Sequence, residues 1–232
     1  MVLENRKNRI TKIIEIKHKS FFHDIFRPLN NSTVHRFKKL NNNKKENETT
    51  NTKMNVVTTQ KIQKQQVKMY RDQLTKFILT TRFNNETWEQ NVEYRKQKQL
   101  KGCIYSSPDS ITVKINPEQI VFILEMNNDE NKIMGIGMVR NHPHINTYQI
   151  YKNDSYNRYV YIGKTRIDRE EMTEEEEKIM KAFDILCFKG NRHMKRGHGL
   201  KCYPIEMLYN CSKVLDLVDF ITNMFKIRIV KK

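Results

Sequence analysis

The sequence predicts an α+β domain built on a small, curved, mostly antiparallel sheet, or partial barrel, that is flanked by helices. Three observations favour this fold class. Before residue 103 the apolar residues repeat at steps of three and four, whereas from there to residue 162 most segments alternate at every second residue. A clear helix start at Thr173 follows the predicted strands. Five or more strands with helices before and after them are typical of this class.

Two helices are predicted ahead of the sheet. The first covers residues 60–80, where apolar residues repeat at helical spacing. These residues are Val67, Tyr70, Leu74, Phe77 and Ile78. The second helix begins at Glu86 and ends before Gly102. We expect Asn84 or Asn85 to cap its first turn, because a side-chain oxygen there satisfies backbone N–H groups that have no partner within the helix.

Strands are predicted at residues 103–105, 111–115, 119–126, 132–140, 148–151 and 158–162. The third, QIVFILEM, is a near-continuous apolar run, which predicts a central strand buried on both faces. A polar loop joins it in a hairpin to the fourth, KIMGIGMVR. Gly135 and Gly137 share one face of that strand, so we expect close packing or a bend there.

Three more helices are predicted after these strands. Thr173 and Glu176 have the spacing of a capping box, and the four acidic residues that follow Thr173 stabilise the start of a helix. A basic loop at residues 190–199 and a short strand at residues 200–203 come next. Pro204 opens a short helix, and Ser212 is expected to cap the last one, which runs to about residue 225.

The positive charge is concentrated in the first third of the chain. Residues 1–68 hold 16 of the 43 Lys and Arg residues and 5 of the 26 Asp and Glu residues, so they carry 11 of the 17 net positive charges. Residues 41–66 are mostly Asn, Lys, Thr, Glu and Gln, a composition that cannot bury enough apolar surface to fold. We therefore predict a basic, largely disordered arm and linker at residues 1–66 and a folded domain at residues 67–232.

Two readings of this composition stay open. Codon bias in an AT-rich genome favours Lys and Asn, whereas a flexible polycation also attracts phosphate without regard to sequence.

Four cysteines are too few for a disulfide scaffold, and the N-terminus has no apolar core of signal-peptide length. No run of apolar residues is long enough to span a membrane. These features predict a protein of an intracellular, reducing compartment with no membrane partner, and no motif indicates a cofactor or a reaction.

The hairpin QIVFILEMNNDENKIMGIGMVR in its basic, helix-flanked setting resembles the PUA-like group of domains, which includes the ASCH, EVE and YTH domains. The resemblance covers roughly residues 100–205. It implies RNA or DNA binding, and in the EVE and YTH branches an aromatic cage around a flipped, often modified base. Three segments, EMNNDENKIMGIGMVRN, YNRYVYIGKTRIDREEM and CFKGNRHMKRGHG, also resemble uncharacterised proteins of large, AT-rich DNA viruses. That resemblance implies a source but no biochemical role. Nucleic acid is the expected partner, beside virion or replication-complex proteins if the source is viral.

The loop at residues 190–199 is the first candidate for nucleic-acid contact. It contains three of the chain's seven glycines, which let backbone N–H groups approach an anion. Its basic residues supply charge-assisted hydrogen bonds to phosphate. They are Arg192, His193, Lys195, Arg196 and His198. The alternative is a solvated basic loop whose glycines serve its turns.

Aromatic residues form a second candidate, because nucleic-acid bases stack on them. Five tyrosines fall between residues 148 and 161, and Trp88 is the single tryptophan. Tyr148, Tyr159, Tyr161, Trp88 and the neighbouring Arg158 are the expected contacts. Tyr159 and Tyr161 share a strand face, so a role in the core is the alternative for both. Trp88 has the same alternative.

Two further chemistries have weaker signals. Cys187, His193, His198 and Cys202 are all zinc-ligand types, but their spacing matches no known zinc motif, and Cys187 falls on an apolar helix face. Glu125 ends a predicted central strand and Asp168 follows another strand, which allows a carboxylate pair for magnesium but does not mark one. No catalytic residue, metal or cofactor is therefore assigned.

Three functions follow in order. The leading hypothesis is a non-enzymatic nucleic-acid-binding module for RNA or DNA that reads a flipped or modified base. The alternative is a structural or packaging protein of a large DNA virus, which its basic tail tethers to nucleic acid or to an acidic partner. The third is a nucleic-acid-modifying enzyme or nuclease.

Overall fold

The computed structural model describes residues 61–145, 148–191 and 193–230. The predicted basic arm lies outside these residues as far as residue 60. Residues 61–66, which the composition assigns to the linker and the apolar spacing to the helix at residues 60–80, belong to a helix. The hydroxyl of Tyr209 donates to the side chain of Gln66 at 2.9 Å, and the rings of Tyr70 and Tyr209 lie 5.8 Å apart. These tertiary contacts hold a helix that composition alone does not predict.

The described residues form five helices and eight strands. The helices are α1 (61–73), α2 (Asn85–Gln97), α3 (Glu174–Phe188), α4 (Ile205–Ser212) and α5 (Leu217–Val230). The strands are β1 (Lys76–Thr80), β2 (Cys103–Ser107), β3 (Ile120–Asn127), β4 (Lys132–Arg140), β5 (His144–Ile145), β6 (Tyr159–Gly163), β7 (Thr165–Asp168) and β8 (Lys201–Cys202). This arrangement confirms the predicted α+β class.

The strands form two sheets rather than one. The first has the order β7-β4-β3-β1-β8 and the second the order β2-β6-β5. Each neighbouring pair is antiparallel except β1 and β3, which run parallel. Within the described part of the chain the two sheets do not close into a barrel. The first sheet is therefore mixed, because the chain passes from β1 through α2 and β2 before it forms β3 alongside β1. The second sheet is antiparallel.

Strand β3 is buried on both faces, as the apolar run predicts. Phe122 and Leu124 pack against α3 and α5, whereas Val121 and Ile123 face the second sheet. Phe122 stacks on Phe225 with ring centroids 5.3 Å apart. The alternation of side chains along the strand thus supplies both hydrophobic cores of the domain.

Glycines let the two sheets approach closely. A Cβ atom on Gly137 would lie 1.9 Å from the Tyr105 hydroxyl oxygen, and one on Gly163 would lie 2.0 Å from the Met138 carbonyl oxygen. Such distances leave no room for a side chain. The close packing expected at the alternating glycines of β4 is confirmed. The Tyr105 side chain occupies the space at Gly137, and the side chains of Arg166 and Glu125 occupy it at Gly135.

Strand β1 corrects the predicted helix at residues 60–80. The helix ends at residue 73, and KFILT forms the strand between β3 and β8. Phe77 and Ile78 fit a helical spacing and an extended run equally well, because a short apolar segment has no decisive period. Parallel pairing with β3, from Lys76 opposite Ile120 to Thr80 opposite Leu124, decides in favour of the strand.

Two predicted strands are wrong. In residues 111–115, Ile111 and Ile115 are buried but Val113 is 93% exposed, and the segment turns where the Ile115 N–H donates to the Thr112 carbonyl at 3.0 Å. In residues 148–151, the backbone N–H groups of Ile150 and Tyr151 donate to the Asn157 side chain at 2.9 and 3.0 Å. Their hydrogen bonds are therefore satisfied locally, and no strand pairs there.

Helix starts are mostly as predicted. Asn84 caps α2, and Thr173 and Glu176 complete a capping box on α3. Ser212 is not the cap of α5, because its hydroxyl donates to the Tyr209 carbonyl at 2.8 Å within the preceding helix. Asp216 accepts from two backbone N–H groups of α5 instead, and that helix extends to Val230. The short edge strand β7 has no counterpart in the prediction.

Candidate functional site

A cleft of about 320 Å³ opens where β1 and β3 end. Parallel strands place their carboxyl ends at the same edge of a sheet, so the residues after β1 and after β3 meet there. Thr81, Arg82 and Phe83 follow β1, and Asn128 follows β3. Strand β2, the start of α2, residues 151–156 and the end of the basic loop complete the walls. The cleft thus gathers segments that are far apart in the sequence.

Aromatic rings line one side of the cleft. Tyr151 lies 6.5 Å from Phe83 and 6.4 Å from Tyr156 between ring centroids. Tyr151 is buried, and its hydroxyl accepts from the Asn91 side chain at 3.3 Å. Burial raises the pKa of the Tyr151 hydroxyl, which therefore stays protonated near neutral pH. Tyr156 is half-buried and presents part of its ring to the cleft.

Asn128 provides an unused hydrogen-bond acceptor at this cleft. Its side-chain nitrogen donates to the Lys195 carbonyl at 3.2 Å. Its side-chain oxygen, Oδ1, is buried and has no hydrogen-bond partner within the described part of the chain. Buried polar atoms are nearly always paired, so an unpaired one beside a cleft indicates a ligand or a water.

The basic loop is fixed in place by the same residues that form the cleft. Arg82 Nε donates to the Arg196 carbonyl at 3.0 Å. Leu200 N donates to Ser107 Oγ at 3.2 Å, and the ring of His198 meets the edge of Tyr156 at 6.3 Å. The loop is therefore anchored to residues of the cleft, and its last residue, Gly199, lines the cleft.

The three loop glycines occupy left-handed backbone conformations, with φ angles of 78° at Gly190, 91° at Gly197 and 66° at Gly199. Gly199 also passes so close to Ser107 that a Cβ atom would lie 2.3 Å from its hydroxyl oxygen. The turns of this loop therefore depend on glycine, in agreement with one of the two roles considered for these residues.

The predicted contact residues of this loop are distributed unevenly. Arg196 and His198 are exposed, and Lys195 and His193 are half-buried. The His193 Nδ1 atom is buried without a hydrogen-bond partner among the described residues. Arg192 lies outside the described residues.

The predicted aromatic contacts do not all reach the surface. Tyr161 is fully buried, and its hydroxyl accepts from the Ile111 N–H at 2.8 Å, which is the core role considered as its alternative. Tyr159 is half-buried, and the Arg158 guanidinium lies 5.3 Å from its ring centroid. Tyr148 is half-buried beside His144, with centroids 5.8 Å apart.

Trp88 packs behind the cleft. Its ring meets Phe83 at 5.5 Å, and the guanidinium groups of Arg95 and Arg166 each lie 5.8 Å from its centroid. It is half-buried. Trp88 thus supports the aromatic wall from behind, through Phe83.

A buried charged network lies beneath the cleft wall at Tyr105. Glu125 is 0% exposed and accepts from Arg166 through two nitrogens, at 2.8 Å from Nε and 2.7 Å from Nη2. The Tyr105 hydroxyl donates to the same carboxylate at 2.6 Å. Burial raises the pKa of Tyr105 well above its ordinary value. Arg166 also contacts Asp168 and thereby joins the two carboxylates that the sequence suggested as a pair.

Neither of the two metal arrangements considered from the sequence is assembled among the described residues. No three His, Cys, Asp or Glu side chains of the described residues lie close enough to hold an ion together. Cys187 is fully buried, and burial raises the pKa of its thiol, whereas Cys202 is exposed. Glu125 uses its carboxylate oxygens for Arg166 and Tyr105. The four zinc-type residues therefore do not converge within the part of the chain that the structure describes.

Sequence reasoning missed Arg82, Phe83 and Asn128. The signal in the sequence is weak, since Arg82 and Phe83 directly follow an apolar run that has both helical and extended spacing. Only the parallel pairing of β1 with β3 brings them to Asn128. Tyr151 and Tyr156 belong to the tyrosine-rich segment, but that segment gave no reason to prefer them over the other three tyrosines.

Comparisons with protein-family models, with curated proteins and with solved structures find no match to this chain. Among the described residues, none of the helices combines the length and the apolar character required to cross a membrane. The function is therefore argued from the geometry of the cleft and from the charge of the chain.

Proposed function

We propose that the protein is a non-enzymatic nucleic-acid-binding module that receives one unpaired base in the cleft. The observation that carries this proposal is the combination of an aromatic side, formed by Tyr151 and Tyr156, with the unpaired acceptor Asn128 Oδ1. An aromatic surface stacks on any base, and a buried acceptor selects the hydrogen-bond donors at the edge of a base. The volume of the cleft falls at the lower end of the range of about 300–1,000 Å³ for small-ligand sites.

The surroundings of the cleft suit a strand that carries the base. Lys195, Arg196 and His198 belong to the basic loop, which reaches the cleft at Gly199. Residues 1–68 add sequence-independent attraction to phosphate. Binding would then have two parts, in which basic residues position the strand and the cleft selects a base. The PUA-like relationship and the reducing compartment both stay predictions.

The test is fluorescence anisotropy of the full chain with single-stranded RNA, single-stranded DNA and duplex DNA at low and near-physiological salt. Tyr156→Ala removes an aromatic surface of the cleft, and Tyr94→Ala removes a half-buried tyrosine outside it. We expect Tyr156→Ala to weaken binding of a single strand by about 1–3 kcal/mol, which is about 5- to 150-fold in affinity. Tyr94→Ala should have little effect.

Equal affinities of the two variants would contradict the proposal. If binding also vanished near physiological salt, the protein would instead be a candidate for the structural or packaging role, in which the basic tail makes the attachment. Turnover of a nucleic acid that depends on magnesium would favour the enzymatic role.

A further inference from the structure

Arg82 is a half-buried guanidinium at the wall of the cleft. Its Nε donates to the Arg196 carbonyl at 3.0 Å, and its Nη1 donates to the Thr80 hydroxyl and carbonyl at 2.8 and 3.2 Å. Its remaining terminal nitrogen, Nη2, has no hydrogen-bond partner among the described residues. All three protein acceptors are neutral oxygens, so none of them neutralises the positive charge.

Three other guanidinium groups that are buried or half-buried are each paired with a carboxylate. Arg166, Arg169 and Arg228 have side chains that are 4%, 6% and 23% exposed, and each contacts a carboxylate within 3 Å. Their carboxylate partners outweigh the effect of burial and raise their pKa values. No carboxylate of the described residues lies within 4 Å of the Arg82 guanidinium, and burial lowers its pKa.

An unpaired, partly desolvated charge is unfavourable unless something compensates it. The cleft wall holds one carboxylate, Glu86, which is exposed and bound to Gln90 at 3.0 Å, with Lys152 at 3.9 Å. Among the described residues, no carboxylate of the cleft is therefore placed to neutralise the charge of Arg82. This arrangement is what an anionic ligand requires, because the ligand supplies the missing charge and gains a charge-assisted hydrogen bond from Nη2.

We propose that Arg82 binds a phosphate group of the ligand in the cleft, so that the ligand is a nucleotide rather than a base or nucleoside alone. That the phosphate belongs to a nucleic acid rests on the proposed function. That Arg82 requires an anionic partner does not rest on it. The phosphate has two sources, an internal phosphodiester of a strand or the terminal phosphate of a free mononucleotide. Guanidinium suits both because its fork of donors matches phosphate oxygens.

The experiment measures the full chain with two pairs of ligands that differ only in charge. One pair is each nucleoside 5′-monophosphate and its nucleoside. The other is a trinucleotide with ordinary phosphodiester linkages and the same trinucleotide with neutral methylphosphonate linkages. Calorimetry gives each affinity for the wild-type protein, for Arg82→Gln and for Arg140→Gln. The last variant is the matched control, because Arg140 is exposed, donates to the Glu118 carbonyl at 3.0 Å and lies outside the cleft.

In the wild-type protein we expect the charged member of one pair to bind about 10- to 100-fold more tightly, the range for a hydrogen bond between charged groups. Arg82→Gln should reduce that preference to within a few-fold, whereas Arg140→Gln should keep it. Arg82→Lys retains the charge and should retain part of the preference. It also serves as the test variant if Arg82→Gln unfolds, because a preference in Arg82→Lys equal to that of the wild type would contradict the role of the guanidinium.

The outcomes separate the two proposals. A preference for the charged trinucleotide that depends on Arg82 supports both, and one limited to the monophosphate supports the phosphate site but overturns the proposed strand-binding function. An equal preference in Arg82→Gln and the wild type overturns the role of Arg82 and leaves strand binding intact. Equal affinities of the wild type for both members of each pair also overturn the role of Arg82.

Discussion

The buried pair Glu125–Arg166 allows a quantitative test of the region beneath the cleft. Glu125→Gln keeps the size of the side chain and an acceptor for the Tyr105 hydroxyl, but it removes the negative charge. The guanidinium of Arg166, whose side chain is 4% exposed, then keeps the half-exposed Asp168 as its one anionic partner among the described residues. Breaking one partner of a buried ion pair costs about 3–5 kcal/mol. We expect about 3 kcal/mol, because Asp168 still contributes.

Urea unfolding of the full chain measures this cost. A loss of about 3 kcal/mol lowers the midpoint by about 1–1.5 M if the slope is about 2–3 kcal/mol/M. Glu86→Gln is the matched control, since Glu86 pairs with Lys152 at 3.9 Å and the two side chains are 65% and 82% exposed. Exposed pairs contribute at most about 1 kcal/mol, so the midpoint of this variant should hardly move.

A double-mutant cycle with Arg166→Met completes the test. If the two residues act as a pair, removal of both costs less than the sum of the single substitutions, because no uncompensated charge remains. A cost below about 1 kcal/mol for Glu125→Gln, or strict additivity in the cycle, would refute the assignment of this pair as the main stabilising contact of Arg166.

Two predictions concern the loop and the acid stability of the domain. Gly199→Ala should shift the urea midpoint down and weaken single-strand binding, because its φ of 66° and its contact with Ser107 leave no space for a methyl group; Gly190→Ala, where nothing lies within 4 Å, is the control for the left-handed conformation alone. The hydrogen bonds from Arg169 lower the pKa of Glu177 below its ordinary value of 4.5, so this group stabilises the fold above that pH and the contribution is lost as the pH falls through the lowered pKa. Urea midpoints between pH 7 and 3 should therefore decline more steeply for the wild type than for Glu177→Gln, and parallel curves would contradict the assignment.

Features that depend on neighbouring residues could be predicted from the sequence. The hairpin of β3 and β4 and the capping box at Thr173 rest on local patterns, and both are present in the structure. Glu125 also had a local signal, since it is an acidic residue inside an otherwise apolar strand. The local pattern did not identify Arg166 as its partner, because Arg166 reaches it from the unpredicted strand β7.

Features that depend on distant partners could not be predicted. The spacing of KFILT fits a helix or a strand, and its pairing with β3 decides between them. The tyrosine-rich segment has strand-like residues, but the side chain of Asn157 takes the backbone hydrogen bonds of Ile150 and Tyr151. The cleft could not be predicted for the same reason, because its residues come from the end of β1, the end of β3 and the loop after α3.

The position of β1 between β3 and β8 sets an order for the assembly of the domain. The β3–β4 hairpin joins residues that are close in sequence. Pairing of β1 with β3 instead closes a long loop, because α2 and β2 lie between Thr80 and Ile120. The other neighbour of β1, β8, begins only at Lys201. Contacts between residues close in sequence close small loops and form first, and distant ones form later. The walls of the cleft span Thr81 to Leu200, so during synthesis the binding site is completed only when nearly the whole domain has left the ribosome.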